Sequence, residues 1–203
     1  MVKIIIIVII FLLFFFGLEA TKRKLKLNPA YTRKIAHFVS AFFTAFFYFF
    51  VNKNEFIISC LIFAIFFIIS YRHKGLKSIH LTDYKTIGEI SYPIALILLA
   101  SFYFENTFIM ISSLAIMGIS DSIAGVYNIK YKKKTLLGAL LFFILTLFIL
   151  LISSFVFHIL TISIIIYLLL ICIILTITEY YSRHGIDNLT VPMIAAFLLS
   201  FLF

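Results

Sequence analysis

Residues 136–156 read LLGALLFFILTLFILLISSFV, a run without one charged side chain. About 20 such residues, rising 1.5 Å each as a helix, cross the roughly 30 Å hydrocarbon core of a bilayer. Working outward from this run, windows of the same kind recur at 2–18, 34–51, 55–71, 88–104, 107–127 and 158–178. A last run, 190–203, is short for a full crossing, and fits either an eighth span in a thin membrane or a helix that enters and packs without emerging. The whole chain agrees: of 203 residues 64% are apolar and only 12% charged, with a mean hydropathy of +1.20, far from the balance of a soluble globule. The expected architecture is all-α, a polytopic transmembrane helical bundle of seven to eight spans, with residues 1–203 forming one integral membrane domain. The opening MVKIIIIVIIFLLFFFG has the early Lys and apolar run of a signal peptide. It lacks a small-residue exit pattern and is followed by KRKLK, so the expectation is a retained first span. Most runs have no polar face, and their sequence therefore predicts insertion but not packing order.

The net charge of +9 is confined to a few connections. That distribution suits a membrane surface or an anionic small molecule, and the expected partners include no nucleic acid. Lys22, Arg23, Lys24, Lys26, Arg33 and Lys34 fall on 19–34; Arg72, Lys74, Lys77 and Lys85 on 72–87; Lys130, Lys132, Lys133 and Lys134 on 128–135; Arg183 lies in the last connection. The intervening turns, near 52–54, 105–106 and 157, are short. By the positive-inside rule the basic connections face the cytoplasm and the N-terminus lies outside. Glu19, Asp83, Glu89, Asp121, Glu179 and Asp187 collect on the basic side, as do all seven glycines, Gly75 among them, and all three prolines. The inner face therefore reads as a site. Cys60 and Cys172 lie inside spans at no ligand spacing and read as core thiols, and no zinc site is expected.

Within that face, Asp121 falls about six residues before the end of its window, roughly 9 Å deep at 1.5 Å per residue. A carboxylate there needs a cation, a metal or water. Gly118 and Gly125, at i−3 and i+4, share its face and clear space for a ligand or a neighbouring helix. Arg33, Lys34 and His37 share another helix face, where a guanidinium fork suits phosphate or carboxylate. Glu89, beside Gly88 and four residues before Pro93, starts a third helix, where capping is the plain alternative. Glu179 ends its span where the dipole disfavours a carboxylate, which implies a cationic partner. After it, YSRHGIDNLTVP at 181–192 supplies Gly185 for a tight turn, Asp187 or Asn188 to cap the last helix or to bind a ligand, and Pro192 within about the first turn. Several acids beneath a roof of lysines suggest Mg²⁺ together with nucleotide phosphate, since Mg²⁺ commonly binds through one or two carboxylates and substrate phosphates.

Four pieces, RKIAHF at 33–38, GEISYP at 88–93, SDSIAGVYN with KKKTLLG across 120–138, and Glu179 with GIDNLTVP at 185–192, together resemble the dolichol kinase and phytol kinase family of membrane proteins. That family includes CTP-dependent diacylglycerol kinase and is often labelled together with phosphatidate cytidylyltransferases. The resemblance covers about 15–200. It implies an Mg²⁺-dependent phosphotransferase that moves the γ-phosphoryl group of CTP to a lipid alcohol of dolichol, polyprenol or phytol type at the cytoplasmic face. By its pattern, Asp121, Gly125, Lys134, Thr135 and Gly138 match the segment associated with CTP, and Arg33, Lys34, His37, Glu179, Asp187 and Asn188 match its other polar positions. Where relatives commonly carry an acid before the glycine of the Lys-Thr segment, this chain has Leu137.

The expected roles follow. Asp121 with Glu179 or Asp187 holds Mg²⁺, Arg33, Lys132 and Lys134 neutralise phosphate charge, Asn188 orients substrate or metal, and Glu89 takes the alcohol proton. Partners are CTP, the lipid alcohol and membrane lipids, with a homo-oligomer left open. The membrane is the plasma membrane in a prokaryote, or the endoplasmic reticulum or an organelle membrane in a eukaryote. Two alternatives stay open: a CTP:lipid-phosphate cytidylyltransferase, which would use the same residues, and a lipid-phosphate or anion transporter. The transporter would want polar residues through the outer half of the spans, where they fade out.

Overall fold

The computed structural model describes residues 2–73, 76, 78 and 86–203. Lys74, Gly75, Lys77, Asp83 and Lys85, read above as part of the basic face, lie outside the described residues. Among the described residues there are eight helices: α1 Val2–Leu25, α2 Pro29–Tyr48, α3 Lys53–His73, α4 Gly88–Tyr103, α5 Thr107–Ile129, α6 Leu136–Val156, α7 Ile162–Tyr181 and α8 Asp187–Leu199. A 3₁₀ turn, Ser200–Leu202, follows α8. Helices α1, α3, α5, α6 and α7 are long and apolar enough to cross a membrane, and α4 and α8 are shorter apolar helices. The protein is a polytopic helical membrane bundle.

Local chemistry sets the helix starts. Asn28 caps α2 by accepting from the Ala30 amide at 2.9 Å, with Pro29 opening the first turn. Asn106, Thr135 and Thr161 cap α5, α6 and α7 in the same way, accepting from Ile109, Gly138 and Ile164. The Asn-Pro pair lies outside any apolar window, which is why α2 begins five residues before the window at 34–51. Likewise α1 runs on through Lys22, Arg23 and Lys24 to Leu25, where lysines and arginines complement the helix dipole. The basic connection between α1 and α2 shrinks to residues 26–28, and Arg33 and Lys34 stand on a helix rather than a loop. Turns at the other end, 49–52, 104–106 and 157–161, are short, as expected.

Two packed clusters divide the interior. Helices α4 to α8 share one, joined by Tyr48 of α2 and Phe56 and Cys60 of α3, in which Leu99, Met110, Leu114, Phe142, Leu168 and Leu199 are fully buried. Helix α8 sits deep in it, with Ala195 and Ala196 letting neighbours approach closely. Helices α1, α2 and α3 make the other, where Phe11 meets Phe63 at 4.9 Å and Phe15 meets Phe67 edge-on at 5.2 Å. Outward positions such as Phe148, Ile152, Ile166 and Leu170 are exposed, the apolar exterior a lipid environment calls for. Cys60 and Cys172 are buried free thiols, as expected.

Candidate functional site

The site begins with an irregularity in α5. Residues Ile116–Ser120 form a π turn, so that the Asp121 amide bonds to the Ile116 carbonyl five residues back. Such turns are rare and concentrate at functional sites. Ala41 of α2 lies where a Cβ on Gly118 would stand, so the glycine permits a close helix crossing. The crossing delivers two α2 side chains to Asp121. The Lys34 ammonium bonds to Asp121 Oδ2 at 2.7 Å and to the Asp121 carbonyl at 3.2 Å. His37 Nε2 donates to the Met117 carbonyl at 3.0 Å and stands 3.5 Å from Asp121 Oδ2. That carbonyl bond selects the Nε2–H tautomer. Gly125 is needed for the same reach, since a Cβ there would occupy the Lys34 side chain.

Lys134 comes from the connection between α5 and α6. Its Nζ bonds to Glu179 Oε1 at 2.7 Å, to Asp187 Oδ2 at 2.9 Å and to the Glu179 backbone carbonyl. Burial pulls its pKa down, but the Asp187 and Glu179 carboxylates outweigh this and hold it above the ordinary lysine value. It therefore stays charged across the physiological range. Thr135 and Gly138 shape the loop that presents it. Asn128 Oδ1 accepts from the Thr135 amide at 3.0 Å and its hydroxyl at 2.8 Å, and the Asn128 amide occupies the space a Cβ on Gly138 would need.

The stretch 184–188 joins α8 to α4. Gly185 has φ +82°, and a Cβ on it would lie 2.5 Å from the Gly88 amide nitrogen and Cα. This close backbone approach is held by the Ile87 amide donating to the His184 carbonyl at 2.9 Å and the Asn188 amide donating to the Gly88 carbonyl at 2.9 Å. The expected tight turn at Gly185 is present. The expected cap is not: Ile186 occupies the capping position without a side-chain bond, because Asp187 is drawn to Lys134 and Asn188 to Gly88. Pro192 stands in the second turn of α8, not its first.

Together these contacts bring Asp121, Glu179 and Asp187 into one cluster, with one carboxylate oxygen from each lying within 4.8 Å of the others. Asp121 and Glu179 are buried and Asp187 is half-buried. Two lysines face three carboxylates, and the buried Glu179 Oε2 has no hydrogen-bond partner among the described residues. An acid left in that condition is costly in a low-dielectric interior. The donor set, three carboxylates from separate elements, fits a hard divalent cation such as Mg²⁺. Replacing Lys134 with Met should leave Glu179 and Asp187 facing each other without a cation. Thermal unfolding in chelator is expected to fall by roughly 5 °C or more and to recover with added Mn²⁺ further than the parent protein gains. An unchanged midpoint in chelator would show the three acids to be adequately neutralised without Lys134.

One cavity of about 1000 Å³ meets the cluster, and Arg33, His37, Glu89, Asp121, Gly125, Lys132, Lys134, Glu179, Asp187 and Asn188 all line it. Thr135 and Gly138 do not, and act on the loop behind Lys134. Glu89 is buried in the first turn of α4. Reading the sequence missed Asn128, whose signal is an amide inside an otherwise apolar turn seven residues before Thr135. It also gave no role to Tyr92, which lies within GEISYP and packs edge-on against His37 at 5.0 Å. No protein-family model, curated protein or solved structure matches the chain.

Proposed function

We propose that the protein is a membrane-embedded phosphotransferase that moves the γ-phosphoryl group of a nucleoside triphosphate to the hydroxyl of a lipid alcohol. The observation that carries this reading is a cavity with two kinds of wall: three clustered carboxylates among lysines at one end, and hydrocarbon side chains beyond. The resemblance to the dolichol kinase and phytol kinase family supplies CTP as donor. Asp121, Glu179 and Asp187 would hold Mg²⁺, which when bound offsets phosphate charge. Arg33, Lys132 and Lys134 surround the space where the triphosphate would lie. Such transfer asks chiefly for positioning and charge stabilisation, and this set provides both. The alcohol oxygen bonds to the γ-phosphorus, the bond to the β,γ-bridging oxygen breaks, CDP leaves, and Glu89 takes the alcohol proton. Lys34 and His37 fix the Asp121 carboxylate. Asn188, tied to Gly88, is a positioning residue that keeps Asp187 on the same side as Glu89.

In this reading α1 to α7 cross the membrane, α8 enters as a shorter eighth helix, and the basic connections face the cytoplasm with the N-terminus outside. The test uses purified protein in detergent, Mg²⁺, CTP labelled at either the α or the γ phosphate, and a panel of prenols and diacylglycerol. The expected result is γ label in the lipid phase with CDP as co-product. Label arriving from the α phosphate with release of pyrophosphate would replace kinase by cytidylyl transfer. No lipid labelling from CTP, ATP or GTP would remove the reading.

A further inference from the structure

Beyond the acids, the cavity continues as a tube with one strip of wall from each of four helices. On α2 the lining positions His37, Ser40, Thr44 and Phe47 follow three- and four-residue spacing and so form one helix face. Phe56, Cys60, Phe63 and Phe67 do the same on α3, and Ile7, Phe11 and Phe15 on α1; Tyr92 and Leu96 of α4 complete the ring. Helix α1 closes the outer side, where Phe11 packs on Phe43, Phe47 and Phe63. Three of the hydroxyls along the tube, those of Thr44, Ser59 and Tyr92, are already bonded within the protein, and the Ser40 hydroxyl stands near the acid end. Thr44 donates to the Ser40 carbonyl at 2.7 Å, Ser59 donates to the Glu55 carbonyl at 2.8 Å, and Tyr92 meets Thr44 at 3.3 Å. A wall with so few open polar atoms offers little to water or ions, and its exposed atoms are mostly carbon, the chemistry of an apolar cavity.

We infer that this tube receives the hydrocarbon tail of the acceptor, hydroxyl toward Glu89 and Asp121, and that its depth limits the acceptor to a tail about one bilayer leaflet long. From His37 to Phe47 the α2 strip climbs ~15 Å at 1.5 Å per residue, and Val51 and Phe56 carry the lining further. A leaflet takes about half of the roughly 30 Å hydrocarbon core. Alcohols of farnesol to geranylgeraniol length fit within the tube, and a polyprenol of many isoprene units overruns it. The inference rests on the reading of the acceptor as a lipid alcohol, and it selects among such alcohols by length.

The chain contains no Trp, so a single introduced Trp is a clean reporter. Phe63→Trp places it in the tube, and Phe148→Trp places it on the outer, exposed face of α6. Each purified variant is titrated in detergent with prenol-length alcohols brominated at the tail. Quenching that saturates near one equivalent for Phe63→Trp, and that only follows bulk mole fraction for Phe148→Trp, is the expected result. Phe67→Trp serves in place of Phe63→Trp should that variant not fold. In a second arm, Cys60→Phe narrows the tube partway along. It should weaken binding of geranylgeraniol-length alcohols about tenfold or more and spare decanol-length ones, because each methylene denied burial forfeits roughly a factor of four. Unsaturable quenching at both positions, or equal weakening at all lengths, overturns the inference. Phosphoryl transfer assayed alongside separates the two ideas. Saturable quenching without transfer removes the kinase and keeps the tube, and transfer with unsaturable quenching does the reverse.

Discussion

Asp121→Asn is expected to lower kcat for phosphoryl transfer by about 10²- to 10³-fold or more, the scale on which preorganised charge acts at a reacting phosphate. The substitution is nearly isosteric, so the π turn and the crossing with α2 remain. It removes the charge that Lys34 holds at 2.7 Å and that lies within 4.8 Å of both other acids. Lys34 is not itself trapped by the loss. About a quarter of its side chain is exposed (23%), enough to turn toward the rim. Folding should therefore survive while function fails, and the two are separable by measuring thermal unfolding in detergent beside turnover. A second readout follows from the same cluster: stabilisation of the parent protein by Mn²⁺ should shrink in the variant. Turnover within a few fold of the parent would mean that Asp121 is a structural partner of Lys34 and no part of the chemistry.

Gly185→Val is expected to be the most destabilising single change, at about 2–5 kcal/mol. A left-handed backbone costs a branched residue roughly 1–2 kcal/mol, and forcing side-chain atoms into a closed contact costs about 1–3 more. The added carbon atoms would meet the Gly88 backbone, which no rotamer change can move aside. Of a total stability of order 5–15 kcal/mol, this is a large share. Separation of α8 from α4 should follow, with loss of the Asn188 bond and displacement of Asp187 from Lys134. Gly17→Ala is the control. No described residue lies within 4 Å of its added Cβ, and a helix interior favours alanine over glycine by up to about 1 kcal/mol. Thermal unfolding of the pair in one detergent checks the contrast, and equal midpoints would contradict the close approach of Gly185 and Gly88.

The gathering of Asp121, Glu179 and Asp187 was foreseeable from sequence because hydrocarbon forbids an isolated carboxylate. Each acid near the basic end of a span had to find a cation, and few were within reach. Five of the seven windows coincide with helices long and apolar enough to cross a membrane, and these were legible for a similar reason, since insertion depends on composition alone. The order in which helices pack was not, because runs such as 136–156 are apolar on every side and no stripe marks an inner face. The start of α2 was obscured by Asn28 and Pro29, which favour a helix by capping while lowering its hydropathy. Asp187 and Asn188 suited a cap by residue type, and only the tertiary arrangement shows that Lys134 and Gly88 claim them first. Thr135 and Gly138 fit a nucleotide segment by pattern, but their contacts run to Asn128. The tube between α1 and α4 left a trace only in retrospect, as aromatic and small residues at three- and four-residue steps on four different helices.

The wide turn at Ile116–Ser120 amounts to a single supernumerary residue carried inside a spanning helix. Its effect is one of phase. Before it, Phe108, Met110 and Leu114 point into the apolar interior; after it, Asp121 and Asn128 point toward ionic and amide partners. A regular helix would bring the second half round by about 100°. Shortening the chain by one position there would preserve the greasy half and swing the carboxylate off its lysine, so a relative bearing such a gap could keep the bundle while having lost the means to use it.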